Sequence, residues 1–314
     1  MVLRIIDVAC PICQCPDPQP LGDPLTDVEN RVEGRYTIAR CQVCQFIFLS
    51  RRPDAESLNQ CYGQNYYTAV ATPKNRFRQF LYALRARARM HRLLRLHGRM
   101  PQSLLEVGHG NMEFLKFLGQ QFKGRCQLTG TDIKIHAIHA PDPSFNIRLV
   151  EGDVGSLNLG QSFETIVMYD VLEHIADPLI ALRNLHKHLE PQGSLIGQVP
   201  NWNSVWRHGF SRHWSGLQIP RHQNFFTAKT LRSLLEKTGF QLVSVHNVYD
   251  PGDLSVSFCN WITDTLKLQT LSRRSWFFIP ATLLAAGVVA LQVFLLRNSG
   301  EIEFKAVPLS SIIK

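Results

Sequence analysis

From residue 103 onward the chain predicts an α/β fold, a doubly wound, mostly parallel sheet with helices on both faces. Strand-like and helix-like stretches alternate there without interruption. In addition, the first apolar run, "SLLEV", ends in the glycine turn "GHGN", and a helix-like stretch follows at once. In such sheets ligands lie at the carboxyl ends of the strands, over the first glycine turn. Two C-x-x-C pairs far upstream predict a separate small unit held by metal.

The 314 residues, 45% hydrophobic and 19% charged, suit one large domain or two smaller ones and exclude a disordered chain. A net charge of +9 favours an anionic partner, although a basic protein that is merely soluble has the same balance. The opening "MVLRIIDVACPIC" interrupts its short apolar run with Arg4 and Asp7, so no signal peptide is expected and a cytoplasmic location is. Of 8 cysteines, four form the pairs Cys10/Cys13 and Cys41/Cys44. In a chain without a signal peptide, that pairing argues for metal rather than disulfides.

Residues 1–60 read as a zinc ribbon: "CPICQC", a Pro/Asp/Gly-rich loop, then strand, knuckle and strand in "RYTIARCQVCQFIFLS". Four thiolates on Zn2+ close its tetrahedron, so the role is structural. Cys15 is an alternative ligand to Cys13, and ordinary buried thiols are the plainer reading. Residues 61–102 form a connector and a basic amphipathic helix with no acid between Glu56 and Glu106. This predicts a helix packed on the next domain with a solvated basic face, or one touching anionic lipid or nucleic acid. The core, 103–250, reads as strands "SLLEVG", "CQLTGTDI", "IRLVEGDV", "FETIVMYDV", "GSLIGQVP" and "FQLVSVHNV", with helices from Met112, Pro178 and Ala228.

The glycine loop has Gly108 and Gly110, but Glu113 stands where a dinucleotide fingerprint needs its third glycine. A carboxylate there is a poor neighbour for pyrophosphate. The loop fits acidic-x-G-x-G-x-G through Glu106, Gly108 and Gly110, failing only at Met112. With that pattern the sequence resembles the class I S-adenosylmethionine-dependent methyltransferases over roughly residues 100–250. "LTGTDI", "VEGDV", "FETIVMYDVLEHIADPLIAL", "HLEPQGSLIGQVPN" and "RHQNFFTAKTLRSLLEKTGF" resemble that family's later segments, in order. The cysteine pairs and "FIFLSRRPDAESL" resemble a ribbon found ahead of this domain in one bacterial subset.

The resemblance implies a Rossmann-like sheet of seven strands and S-adenosylmethionine as cofactor. It implies cofactor contacts at Glu106, Gly108, His109, Gly110, Asp132, Asp153 and Asp170. A carboxylate at Asp132 suits a ribose diol, and one at Asp153 the adenine amine. On a plainer reading both are turn or cap residues. Glu173 either caps the next helix or reaches the cofactor through water. His174 is the catalytic candidate, a base for the acceptor's proton, or else a structural histidine. Asp177 and Pro178 read as a helix start. Met112 is expected in the first helical turn with its side chain tilted aside; a left-handed backbone there would be strained.

"NWNSVWRHGFSRHWSGLQIPRH" sets tryptophans among cations, which suits a sugar, aromatic or phosphorylated acceptor, or a lid packed on its own tryptophans. Residues 275–296 are apolar enough to suggest a membrane span, but the strand-like "GEIEFKAVPL" after them is needed by the sheet. The expectation is therefore an apolar helical hairpin over 251–299, its first arm at 254–271, and a final strand within 300–314. Such a hairpin packs on the domain, pairs subunits into a homo-oligomer, or dips into the inner leaflet as a peripheral contact.

Together these readings predict methyl transfer from S-adenosylmethionine to a small-molecule, glycan or lipid-linked acceptor, at oxygen, with structural Zn2+ and no nucleic-acid partner. The alternative is a non-catalytic zinc-ribbon scaffold that binds membrane or nucleic acid.

Overall fold

The computed structural model describes residues 3–61, 76–135, 145–268 and 278–309. The first unit is a small antiparallel sheet of β1 (Ile5–Asp7), β2 (Gln19–Pro20), β3 (Thr37–Arg40) and β4 (Ile47–Pro53), in the order β1-β4-β3-β2. The short helix α1 (Ala55–Gln60) follows, and helix α2 (Arg76–His97) leads into the main sheet.

That sheet opens with β5 (Ser103–Val107), α3 (Glu113–Phe122), β6 (Gln127–Asp132) and β7 (Ile147–Glu151). The chain then crosses to the other side of β5 to lay down β8 (Phe163–Tyr169), a 3-10 turn (Leu172–His174) and α4 (Pro178–Lys187). After β9 (Leu189–Pro200) come α5 (Val205–Phe210), β10 (Asn224–Phe225), α6 (Ala228–Lys237) and β11 (Phe240–Asn247). Helices α7 (Pro251–Thr265) and α8 (Phe278–Leu295) pack on each other before β12 (Glu301–Pro308). The seven strands run β11-β12-β9-β8-β5-β6-β7; β12 is antiparallel to both neighbours and the other pairs are parallel. All seven strands expected from the sequence form, including the last.

All seven residues of β8 are buried, which is how a central strand covered on both faces reads. One face carries α2 and α3, through Met90, Leu93, Phe114 and Leu118 against Leu104, Val167 and Ile196. The other carries α4 and α6, through Leu182, Leu185, Leu231 and Leu234 against Leu105, Ile166 and Leu195. Local chemistry sets the helix starts. Asp177 caps α4 by accepting from the Ile180 N–H at 3.0 Å, with Pro178 in the first turn. Thr227 and Thr230 form a reciprocal cap on α6.

Three features go beyond the sequence reading. The basic face of α2 is not simply solvated: the arginines of one side turn inward, where Arg92 Nε lies 2.9 Å from the buried Glu303 and Arg89 Nη2 2.6 Å from Asp170. The ribbon is not a free-standing unit either, because β10 adds to its sheet, pairing Asn224 with Phe48 and Phe225 with Ile47. Finally, Trp202 and Trp214 are buried in one cluster with Tyr36, Ile38 and Leu49 of the ribbon, so they hold the two units together. Among the described residues no helix is long and apolar enough to cross a membrane.

The joint contains one buried ion pair, Arg221 Nη2 to Asp27 Oδ2 at 3.4 Å, with both side chains 1% exposed. Asp27 also accepts from the N–H groups of Glu29 and Asn30 at 3.0 Å. Asp27→Ala should destabilise the protein by about 3–5 kcal/mol in denaturant unfolding, because it strands a buried guanidinium. A loss below about 1 kcal/mol would mean the joint holds without this pair.

Candidate active site

The order in which strands are added reverses between β5 and β8, and the crevice that opens there is the ligand position of a doubly wound sheet. Gly108 and Gly110 line it with positive φ, 69° and 53°. A Cβ on Gly108 would stand 2.5 Å from Val171 Cγ2, so this turn requires glycine twice over. Met112 caps α3 with φ 62° and ψ 17°, which is the left-handed conformation and not the first helical turn. Its side chain is fully buried with Leu93 and Leu115. Left-handed strain of about 1–3 kcal/mol is matched by the roughly 1.5–3 kcal/mol of burying a methionine, which is why the turn forms without its third glycine.

Asp132 ends β6, and its Oδ2 accepts from the Gly110 N–H at 2.9 Å, tying the second strand's tip to the loop. Glu106 is buried beneath the loop, and its Oε2 has no hydrogen-bond partner. Burial pushes its carboxyl up to about 8, against the opposing pull of Arg89. An orphaned buried carboxylate of this kind fits the cationic end of S-adenosylmethionine. His109 is buried too; its Nδ1 lies 3.1 Å from the Gly110 carbonyl and its Nε2 is unpartnered. Asp153 is exposed and accepts from the Gly155 N–H at 2.7 Å, stiffening the turn after β7.

Asp170, at the tip of β8, is also left-handed, with φ 59°. Its Oδ2 meets Arg89 and Arg85 at 2.6 Å and 3.3 Å, and its Oδ1 accepts from Gln198 at 3.0 Å. Burial alone would raise this carboxyl, but the two guanidiniums outweigh it and hold it low. The same Arg89 lies over the Tyr169 ring at 4.7 Å. Neither arginine was singled out from the sequence; the signal available was the acid-free stretch in which they lie.

Three residues on, the 3-10 turn carries Glu173 and His174. Glu173 does not cap a helix, since Asp177 does that; it is buried with no hydrogen bond to either oxygen, and burial holds its carboxyl well above the usual range. His174 is only partly buried, and its Nδ1 donates to the Arg221 carbonyl at 3.1 Å. Desolvation pushes it down to about 4, so the ring is neutral at pH 7. The His222 ring stands edge-on to it, centroids 4.5 Å apart.

The four ribbon cysteines converge as expected, with Sγ atoms within 4.8 Å of one another: Cys10 to Cys44 at 3.5 Å and Cys13 to Cys41 at 3.3 Å. Zn–S bonds of about 2.3 Å in a tetrahedron put sulfurs about 3.8 Å apart, so the set fits Zn2+. Cys15 lies outside the cluster. Burial opposes ionisation of Cys41, but the Cys44 N–H and the Cys13 thiol bring it down to about 7.

The model of a family described as "Methyltransferase domain" matches residues 75–245. No curated protein matches the sequence. Among solved structures, the plantazolicin methyltransferase BpumL, in complex with a monoazolic desmethylPZN analog and SAH, is 17% identical. The match covers 82% of this chain and 90% of that one, at a TM-score of 0.46. Coclaurine N-methyltransferase is 12% identical over 70% of this chain and 71% of its own, at 0.45. The [4+2]-cyclase SpnF is 16% identical over 74% and 81%, at 0.44.

The ribbon's metal should be structural throughout. Cys41→Ser is expected to lower zinc, counted by elemental analysis, and to raise the exposure of the buried Trp214, read as a red-shifted fluorescence maximum. Full zinc content in that variant would remove Cys41 from the ligand set.

Proposed function

The chain belongs to the methyltransferase domain family, and from that premise we propose that it moves the methyl group of S-adenosylmethionine to an oxygen of a small-molecule, glycan or lipid-linked acceptor. The observation that carries the reading is Glu106, a buried carboxylate with an orphaned oxygen beside two left-handed glycines at the crevice. The cofactor, when bound, supplies a methyl group already activated on a sulfonium. The remaining work is positioning and exclusion of water.

In this reading Glu106 faces the ammonium, and the turn from Gly108 through His109 to Gly110 lets backbone approach the methionine end. Asp132 takes the ribose diol through the oxygen that the Gly110 N–H leaves available. Asp153 receives the adenine amine. Asp170, held by Arg85 and Arg89, keeps α2 docked beside the crevice and so excludes water. His174, neutral at pH 7, orients the acceptor hydroxyl as a hydrogen-bond acceptor. A lipid-linked acceptor, and peripheral contact with a membrane face, are supported by the bare apolar side of α8, where Leu284 is 80% and Phe294 78% exposed.

Asp132→Ala should weaken S-adenosylhomocysteine binding by roughly 10–150-fold in calorimetry, the worth of a charge-assisted hydrogen bond. His174→Ala should retain that affinity and slow transfer by about 10²-fold or less, since a ring this weakly basic orients more than it deprotonates. Unchanged affinity in the first variant would remove Asp132 from the ribose.

Cofactor affinity should also depend on pH. Glu106 is protonated in the empty protein below about 8, so binding a cation must release its proton. Affinity for S-adenosylmethionine should therefore rise about tenfold per pH unit up to about 8 and then level. The empty protein runs the other way: a carboxyl raised by folding contributes stability that is lost as pH rises towards about 8. Glu106→Gln should bind more weakly and lose the slope. A slope that survives the substitution would assign it to another group.

A further inference from the structure

Glu173 raises a problem that methyl transfer does not solve. Its carboxyl is 1% exposed, and neither oxygen has a hydrogen-bond partner. His222 Nε2 lies 4.0 Å from Oε1, too far for a hydrogen bond. A proton on the carboxyl does not remove the difficulty, because its O–H would still lack an acceptor within reach and the other oxygen would stay bare. Leaving such a group buried and unpaired is costly.

The two imidazoles beside it are oriented alike. His174 Nδ1 lies 3.1 Å from the Arg221 carbonyl, and His222 Nδ1 2.9 Å from the Gly216 carbonyl. A carbonyl can only accept, so each neutral ring carries its proton on Nδ1 and its lone pair on Nε2. Backbone carbonyls that fix the tautomer in this way are the usual outer support of metal-binding histidines. Ligand atoms of Glu173, His174 and His222 all lie within 4.8 Å of one another. The frame is held from both sides: the Glu173 carbonyl accepts from the Gln223 N–H at 2.8 Å, and the Ile175 carbonyl from Asn224 Nδ2 at 2.6 Å. The Arg221 guanidinium is paired with Asp27, so its charge is compensated beside the cluster.

We propose that Glu173, His174 and His222 form a second metal centre, distinct from the ribbon, for a divalent first-row transition cation. One carboxylate and two imidazoles are borderline donors that suit Zn2+, Co2+, Mn2+ or Fe2+ rather than Ca2+ or Mg2+. Three protein ligands leave a coordination position open, as catalytic sites do and the four-cysteine ribbon does not. The turn begins two residues beyond Asp170, at the carboxyl end of β8. A cation there would lower the pKa of an acceptor hydroxyl held at its open position, taking over the contact that His174 Nε2 makes with that hydroxyl when no metal is bound. That consequence rests on the methyl-transfer reading; the metal centre does not.

The test uses the full-length protein with its ribbon loaded with zinc, titrated with Co2+ and followed by calorimetry and visible absorption. One further equivalent per chain is expected, without thiolate-to-cobalt charge transfer. It should vanish in Glu173→Gln and in His222→Ala. Glu173→Gln is nearly isosteric and cannot ionise, so it should melt no lower than the parent, and its loss of Co2+ then reports a lost ligand. Absence of any Co2+ beyond the ribbon, or an equivalent that persists in Glu173→Gln, overturns the centre. Calorimetry with S-adenosylhomocysteine on the same samples separates the two readings. Normal binding without cobalt overturns the metal centre alone, whereas cobalt without binding strikes the cofactor assignment and leaves the centre standing.

Discussion

Carboxylates buried at the carboxyl edge of the main sheet impose the strongest constraint on this molecule. Glu106, Glu173 and Glu303 are buried and Asp170 is half-buried beside them, and an uncompensated buried charge is among the largest penalties a fold can carry. Helix α2 answers part of it. Arg89 and Arg85 neutralise Asp170, and Arg92 reaches Glu303 while its Nη2 donates to Gln198 at 3.3 Å. Those contacts orient the helix, and the apolar contacts of Leu93 and Leu96 then seat it on the sheet. Glu106 and Glu173 are left over. Both are raised by burial, and each suits a cation the chain does not itself provide.

The ribbon belongs to this arrangement. Its strand β4 pairs with β10, its Asp27 holds Arg221, and its Tyr36 and Leu49 bury Trp214. All three contacts converge on the segment from Trp214 to Phe225, which supplies the carbonyl that orients His174 and the whole of His222. A metal closing the tetrahedron of thiolates would tie the knuckles beside β3 and β4 together, and β4 pairs with the segment that carries β10.

Two of the left-handed non-glycine residues lie at the crevice. Met112 and Asp170 flank it in the turns that follow β5 and β8, the two strands that define it. Aspartate tolerates that conformation through local hydrogen bonds, whereas methionine requires the burial of its side chain. The altered glycine loop is therefore held in shape by packing from α2 instead of by the freedom of a third glycine.

The order of strands, the glycine turn, the helix caps and the cysteine pairs were legible in the sequence because each depends on neighbours in the chain. Alternating and continuous apolar runs mark β5 to β9, Asp177-Pro178 marks a helix start, and C-x-x-C spacing marks a knuckle. What the tertiary structure decided depends on residues far apart. Asp27 meets Arg221 across 194 positions, Arg92 meets Glu303 across 211, and Glu173 meets His222 only because β10 joins a sheet begun at the other end of the chain. The sign of φ at Met112 belongs to the same class, since the burial that offsets its strain is provided by a helix some twenty residues upstream. Periodicity and spacing report local geometry, while the compensation of buried charge and strain is settled only when distant segments close on one another.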